Sequence, residues 1–162
     1  MLLWLMRTAV PVVVGIVLLA SPGAAQPDCI GIPEIEKRIE ACSRYLERLP
    51  SDPTTLVAVY RALGADHSAL RRYGEALRYF DGALQIDLGN ANVLIGRGDV
   101  YFAWSEKAAQ VPLDSPDPKV NQATYHHTMF LRQQAVTDYR RAADLGSADA
   151  RERLKQLGAY RD

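Results

Sequence analysis

The chain has 162 residues, and its 19 basic and 19 acidic side chains leave no net formal charge. That balance gives no electrostatic reason to expect nucleic acid as a partner. A composition of 23% charged and 48% hydrophobic residues is that of a globular chain, not a disordered one, and the length allows at most one domain beyond any leader.

Residues 1–25 read as a secretory signal peptide. Arg7 supplies the positive charge, Thr8 to Ala20 is uncharged and mostly apolar, and Gly23-Ala24-Ala25 offers small residues for cleavage before Gln26. Either Met1 or Met6 could be the start. The rival reading is an uncleaved anchor, because the uncharged run from Thr8 to Pro27 is close in length to the shortest membrane-spanning helix. The first reading predicts a periplasmic or secreted protein. The second predicts one tethered to a membrane.

Residues 26–52 form an N-terminal arm and a first helix. Pro33 suits a first helical turn, and Ile35, Ile39, Cys42 and Leu46 then share one face. Cys29 and Cys42 are the only cysteines. At ~1.5 Å per residue Cys42 lies ~13 Å along the axis from Pro33. The arm from Cys29 to Pro33 reaches ~13–14 Å when extended, and Gly31 permits the reversal. A disulfide closing this arm onto the helix is feasible and would stabilise by roughly 3 kcal/mol; two unrelated thiols are the alternative. A redox-active pair would normally be closer, as in C-x-x-C.

Leu49-Pro50-Ser51-Asp52-Pro53 is a turn. Ser51 or Asp52 can cap the next helix, with Pro53 in its first turn. The stretch 57–90 then reads as two antiparallel amphipathic helices. The first presents Val57, Tyr60, Leu63 and Gly64. The second presents Tyr73, Ala76, Leu77, Phe80, Ala83, Leu84 and Ile86 at three- and four-residue steps. Small Ala76 and Ala83 admit a close neighbour, and Phe80 fills the space between. Gly89 can take the left-handed conformation that ends a helix.

The order Tyr60, Leu63-Gly64, Tyr73, Ala76, Phe80, Ala83 resembles the tetratricopeptide repeat, whose period of about 34 residues is also the length of this helix pair. His67 stands where that family usually has Tyr, and Leu88 where it usually has Pro. The resemblance implies an all-α fold: a short right-handed superhelix of about six helices. It would comprise a half repeat, one full repeat, one repeat with a long insertion, and a C-terminal capping helix, with residues 53–162 as the repeat domain. The cysteine pair likewise resembles small exported repeat proteins that open with such a pair on a half repeat.

The next helix is predicted over ANVLIGRGDVYFAWSEKAA. Gly98 and Tyr101 follow Gly64 and His67 by one repeat period, so the register continues, although Arg97 occupies an apolar position of the pattern. Pro112, Pro116 and Pro118 then impose a loop over about residues 110–118. The pattern resumes with Leu131, Ala135, Tyr139, Ala142 and Leu145. The step from Ala76 to Ala135 exceeds one repeat period by about 25 residues. An insertion near 108–130 therefore holds the loop and extra helical turns around NQATYHHTMF, either carrying function or merely tolerated. Gly146-Ser147 ends this helix. Ala150, Leu154 and Leu157 then share one face of a last, otherwise charged helix.

No constellation for catalysis stands out. His126 and His127 are adjacent and would point ~100° apart on a helix, which suits no single metal ion. His67 reads as a core or boundary ring. Gly96-Arg97-Gly98 lacks the third glycine and the strand of a phosphate loop, and Arg97-Gly98-Asp99 on a helix is a chance adhesion tripeptide. No cofactor or metal is expected.

The family resemblance implies instead a concave groove lined by the first helix of each pair, where a peptide or partner protein lies. Its residues would be Arg61, Ala65 and Ser68, then Asn92, Ile95, Asp99 and Phe102. Arg61 and Asn92 could grip a carboxylate or a peptide backbone, whereas Ala65 and Asp99 stand where acidic-tail binders need Asn. The expected function is a non-enzymatic interaction scaffold of the cell envelope; a membrane-tethered structural or assembly subunit is the alternative. A solvated groove with no strong ligand is the bland counterpart.

Overall fold

The computed structural model describes residues 27–159, and within them the fold is all-α, without strands. The leader expected over residues 1–25 lies outside the described residues. A 3-10 turn over Asp28–Gly31 precedes six helices: α1 (Ile35–Glu47), α2 (Pro53–Ala69), α3 (Tyr73–Ile86), α4 (Ala91–Ala109), α5 (Pro118–Asp144) and α6 (Ala148–Gln156). None is long and apolar enough to cross a membrane.

Side chains in the connections set most of these boundaries. Asp52 accepts from the amide of Thr55 at 2.7 Å and caps α2, with Pro53 in the first turn. Asn90, Asp117 and Ser147 cap α4, α5 and α6 in the same way. Pro118, expected in the loop, opens α5, where its missing N–H costs nothing. Helix α1 begins two residues after Pro33. The Arg38 guanidinium reaches back to the carbonyl of Ile32 and holds that segment extended. Gly89 is not left-handed. The α3–α4 turn is closed instead by Asp87, which accepts from the Gly89 amide at 3.1 Å and from Asn90 Nδ2 at 3.0 Å. Among the described residues the left-handed positions are Leu49, Arg71, Gly146 and Gly158. At Arg71 (φ 56°) the amide of Arg72 returns to the carbonyl of His67 at 2.8 Å, ending α2 in a tight reversal.

Helices α2 and α3 run antiparallel, since Gly64 faces Phe80 while Tyr60 faces Gly82. A methyl group added at Gly64 would lie 2.8 Å from the Phe80 ring, so only glycine admits this approach. The α4–α5 hairpin repeats the joint: a methyl at Gly98 would lie 2.7 Å from the Tyr139 ring. The two glycines are 34 residues apart and the two rings 59. Gly96 lets α4 close over the other side of Phe80, where a methyl would lie 2.5 Å from the ring.

Three apolar clusters follow among the described residues. The central one joins Val57, Ala76, Phe80, Ala83, Leu84, Val93, Leu94, Val100, Ala142 and Ala150. An N-terminal cluster joins Cys29, Cys42, Val59 and Leu63, with Ile39, Tyr45 and Tyr79 against it. A C-terminal cluster joins Ala135, Tyr139 and Leu154, flanked by Tyr101, Phe102 and Leu157. Two residues of the expected apolar faces, Ile86 and Leu145, are exposed, because each lies at a helix end beyond its neighbour's cover. Cys29 and Cys42 form the disulfide, with their Cα atoms 5.1 Å apart, and it fastens the 3-10 turn to α1.

Candidate partner-binding surfaces

Of the four residues singled out for the groove, the structure brings Arg61 and Asn92 onto one cleft and places Asp99 and Phe102 elsewhere. The cleft runs between α2 and the start of α4 and has a volume of about 440 Å³. Val57 and Ala58 contribute its apolar wall, and Ile86, Asp87 and Asn90 close the end at the α3–α4 turn. Arg61 is exposed, and its guanidinium has no hydrogen-bond or ion-pair partner among the described residues. Asp87 is the acid of this cleft, but its oxygens are engaged by Gly89 and Asn90.

Asp99 is occupied. It accepts from the Tyr139 hydroxyl at 2.6 Å and from Arg153 Nη2 at 3.0 Å, so it ties α4 to α5 and α6. Burial and that hydrogen bond hold the Tyr139 phenol well above its ordinary pKa. Phe102 is half-buried against the C-terminal cluster. Helix α6 and the C-terminal cluster cover these two residues instead. Ile95 lines a smaller hollow against Asp149, Glu152, Arg153 and Gln156 of α6. Ala65 is exposed and Ser68 half-buried, and neither lines the cleft.

Arg97 explains its own position in the pattern. Its Nε and Nη2 donate to the two oxygens of Asp138 at 2.8 and 2.7 Å, and its Nη1 reaches Asp81 on α3. One guanidinium thus joins three helices. The Asp138 carboxylate, aided by Asp81, raises the Arg97 pKa although burial acts against the charge. A second fork links α1 to α2, where Arg38 Nε donates to Asp66 at 2.8 Å and Nη2 donates to its other oxygen. Sequence reasoning misses both pairs. A charged residue at an apolar position is the available signal for the first. The Arg97-Gly98-Asp99 tripeptide is consumed in these contacts and is not displayed.

The insertion makes a different surface. The loop is closed by Ser115 and Asn121, which exchange hydrogen bonds of 3.1 and 3.0 Å. Beside it Val111, Leu113, Tyr125 and Met129 are each between 47% and 55% exposed. They share a hollow of about 200 Å³ with Ala108, Thr128 and Arg132. His127 stands edge-on to Trp104 and His126 edge-on to Tyr125, so the two imidazoles point to different neighbours. Among the described residues no three His, Cys, Asp or Glu side chains gather as a metal site. No protein family, curated protein or solved structure matches this chain.

Proposed function

We propose that this protein is a small exported interaction scaffold built as a short tetratricopeptide-like array, and that it binds an extended segment of a partner protein in the cleft between α2 and α4. The observation that carries the reading is Arg61. It is a cation without a partner among the described residues, at the rim of a cleft with an apolar wall and an amide donor, Asn92. An extended peptide offers what such a cleft selects: backbone carbonyls or a carboxylate for the polar rim and a side chain for the wall. The repeated glycine–ring joint supports the repeat reading, and the disulfide supports residence in an oxidising compartment.

The exposed apolar hollow of the insertion favours a second mode, in which a partner helix or loop packs against Leu113, Tyr125 and Met129. Affinity capture from the cell envelope, with Arg61→Glu and Met129→Glu compared with wild type, separates the two. The cleft reading expects the captured partner to be lost with Arg61→Glu and retained with Met129→Glu. The reverse pattern would transfer the function to the insertion, and capture unchanged by Arg61→Glu would end the cleft assignment.

A further inference from the structure

A second cavity, of about 700 Å³, lies between the N-terminal arm and the C-terminal half of α1, and it shares no residue with the cleft at α2. Pro27 and Ile32 give it an apolar wall on the arm, and Tyr45 faces them from α1. Arg44 and Arg48 line it as well, four residues apart and so on one side of α1. Arg48 is exposed, and its guanidinium has no hydrogen-bond or ion-pair partner among the described residues. Arg44 meets Glu40 at 3.5 Å, but these side chains are 62% and 68% exposed. Such a surface pair is worth little and is readily given up. Asp28 is the acid on the lining, one carboxylate against two guanidiniums. Cations suit the last turn of any helix. That preference does not explain why these two share a cavity with an apolar wall.

The place of the cavity in the chain suggests its occupant. Pro27, on its wall, also ends the uncharged run that begins at Thr8, and Asp28 is the first charge after that run. Where the run meets a bilayer, this cavity is the part of the fold next to the headgroups. We infer that the cavity is a membrane-contact site that takes the anionic headgroup of a phospholipid. The phosphate sits between Arg44 and Arg48, whose planar guanidiniums match its oxygens. The glycerol and first acyl carbons lie against Pro27, Ile32 and Tyr45, and a tyrosine suits that depth because its ring is apolar and its tip polar.

The magnitudes limit what the site does. A cation near an anionic membrane surface strengthens docking by about fivefold. Two of them give about 25-fold, which is too little to hold a protein on a membrane without a second signal. The site therefore sets orientation: with the chain at the membrane, the headgroup turns the arm and α1 toward the bilayer.

The test takes the full chain as isolated from the envelope and adds bilayer discs that carry a nitroxide on the headgroup. One set is phosphatidylcholine alone, and the other contains phosphatidylglycerol as well. NMR relaxation of each backbone amide then reports its distance from the headgroups. The site predicts that Ile32 and the amides of Arg44 to Arg48 broaden most, and far more with phosphatidylglycerol than without it. The docking equilibrium should fall about fivefold in Arg44→Gln and about 25-fold in the double change with Arg48→Gln. It should rise in Asp28→Asn and stay unchanged in Arg78→Gln, which removes an equal charge from α3. All four side chains are exposed, so the fold is expected to stand in every variant. Broadening that ignores phosphatidylglycerol, centres on other helices, or survives the double change overturns the proposal. So does inorganic phosphate alone, if it shifts the same amides as strongly as the discs do, because the site then takes a free anion and not a lipid.

Discussion

In the α2–α3 hairpin the ring of Phe80 lies against Gly64, and in the α4–α5 hairpin the ring of Tyr139 lies against Gly98. Around that shared joint the two hairpins diverge residue by residue. Leu63 and Tyr79 of the first belong to an apolar cluster, while the residues at the same register in the second are Arg97 and Asp138, joined as a fork. Ala65 of the first is exposed, while its counterpart Asp99 is bound by Tyr139 and Arg153. Arg61 stands over an open cleft, while its counterpart Ile95 faces α6. The joint fixes how a hairpin closes. The positions around it decide which surface is left open, and the first hairpin is the one that presents Arg61 at an open cleft.

The sharpest way to break this comparison is at the fork. Asp138 is 3% exposed at its side chain, so Asp138→Ala leaves the largely covered Arg97 with Asp81 as its remaining partner. The expected loss is about 3 kcal/mol in urea unfolding, the low end for breaking a buried pair, because Asp81 still compensates part of the charge. Converting the pair to its counterpart in the first hairpin, Arg97→Leu with Asp138→Tyr, is expected to cost less than the single change and to be neutral or mildly stabilising. If the double change is as costly as the single one, the two registers are not equivalent.

Reducing the Cys29–Cys42 bond acts on α1, which packs against the first hairpin through Val59 and Leu63, and not on the second hairpin. It is expected to lower stability by about 2–4 kcal/mol, with the loss centred on α1 in hydrogen exchange, while α4–α5 protection is unchanged relative to global unfolding. A smaller effect is expected in the connections. Arg71 ends α2 in a left-handed conformation, where Gly146 ends α5. Arg71→Gly therefore makes the two ends alike and should raise stability by about 0.5–1 kcal/mol, seen as a rise in Tm. A fall in Tm would mean that the Arg71 side chain contributes more than its backbone costs.

The helices themselves are legible in the sequence, because Tyr73, Ala76, Phe80 and Ala83 recur at helical spacing and three prolines bound the loop. The joint is partly legible: Gly64 and Phe80 stand out, but their contact joins residues on two helices, and helical spacing reports on one helix at a time. The forks are not legible. Arg97 and Asp138 are 41 residues apart, and Arg38 and Asp66 are 28 apart, so nothing local connects them. Asp99 and Phe102 read as groove residues through the resemblance to the tetratricopeptide repeat, which places them on the inward face of α4. That face is shared with α6, which a reading confined to hairpins leaves out. The length of the insertion follows from the shift between Ala76 and Ala135. Its apolar hollow does not, because Val111 and Leu113 belong to no periodic pattern.

The most direct measurement is a pair of double-mutant cycles, Gly64→Ala with Phe80→Leu and Gly98→Ala with Tyr139→Leu, each read by urea unfolding. If a ring seated on a glycine closes both hairpins, each glycine change costs about 1–3 kcal/mol beside the native ring. Most of that cost should disappear beside leucine, giving coupling of about 1–2 kcal/mol in both cycles. Additive effects in either cycle would contradict the shared joint.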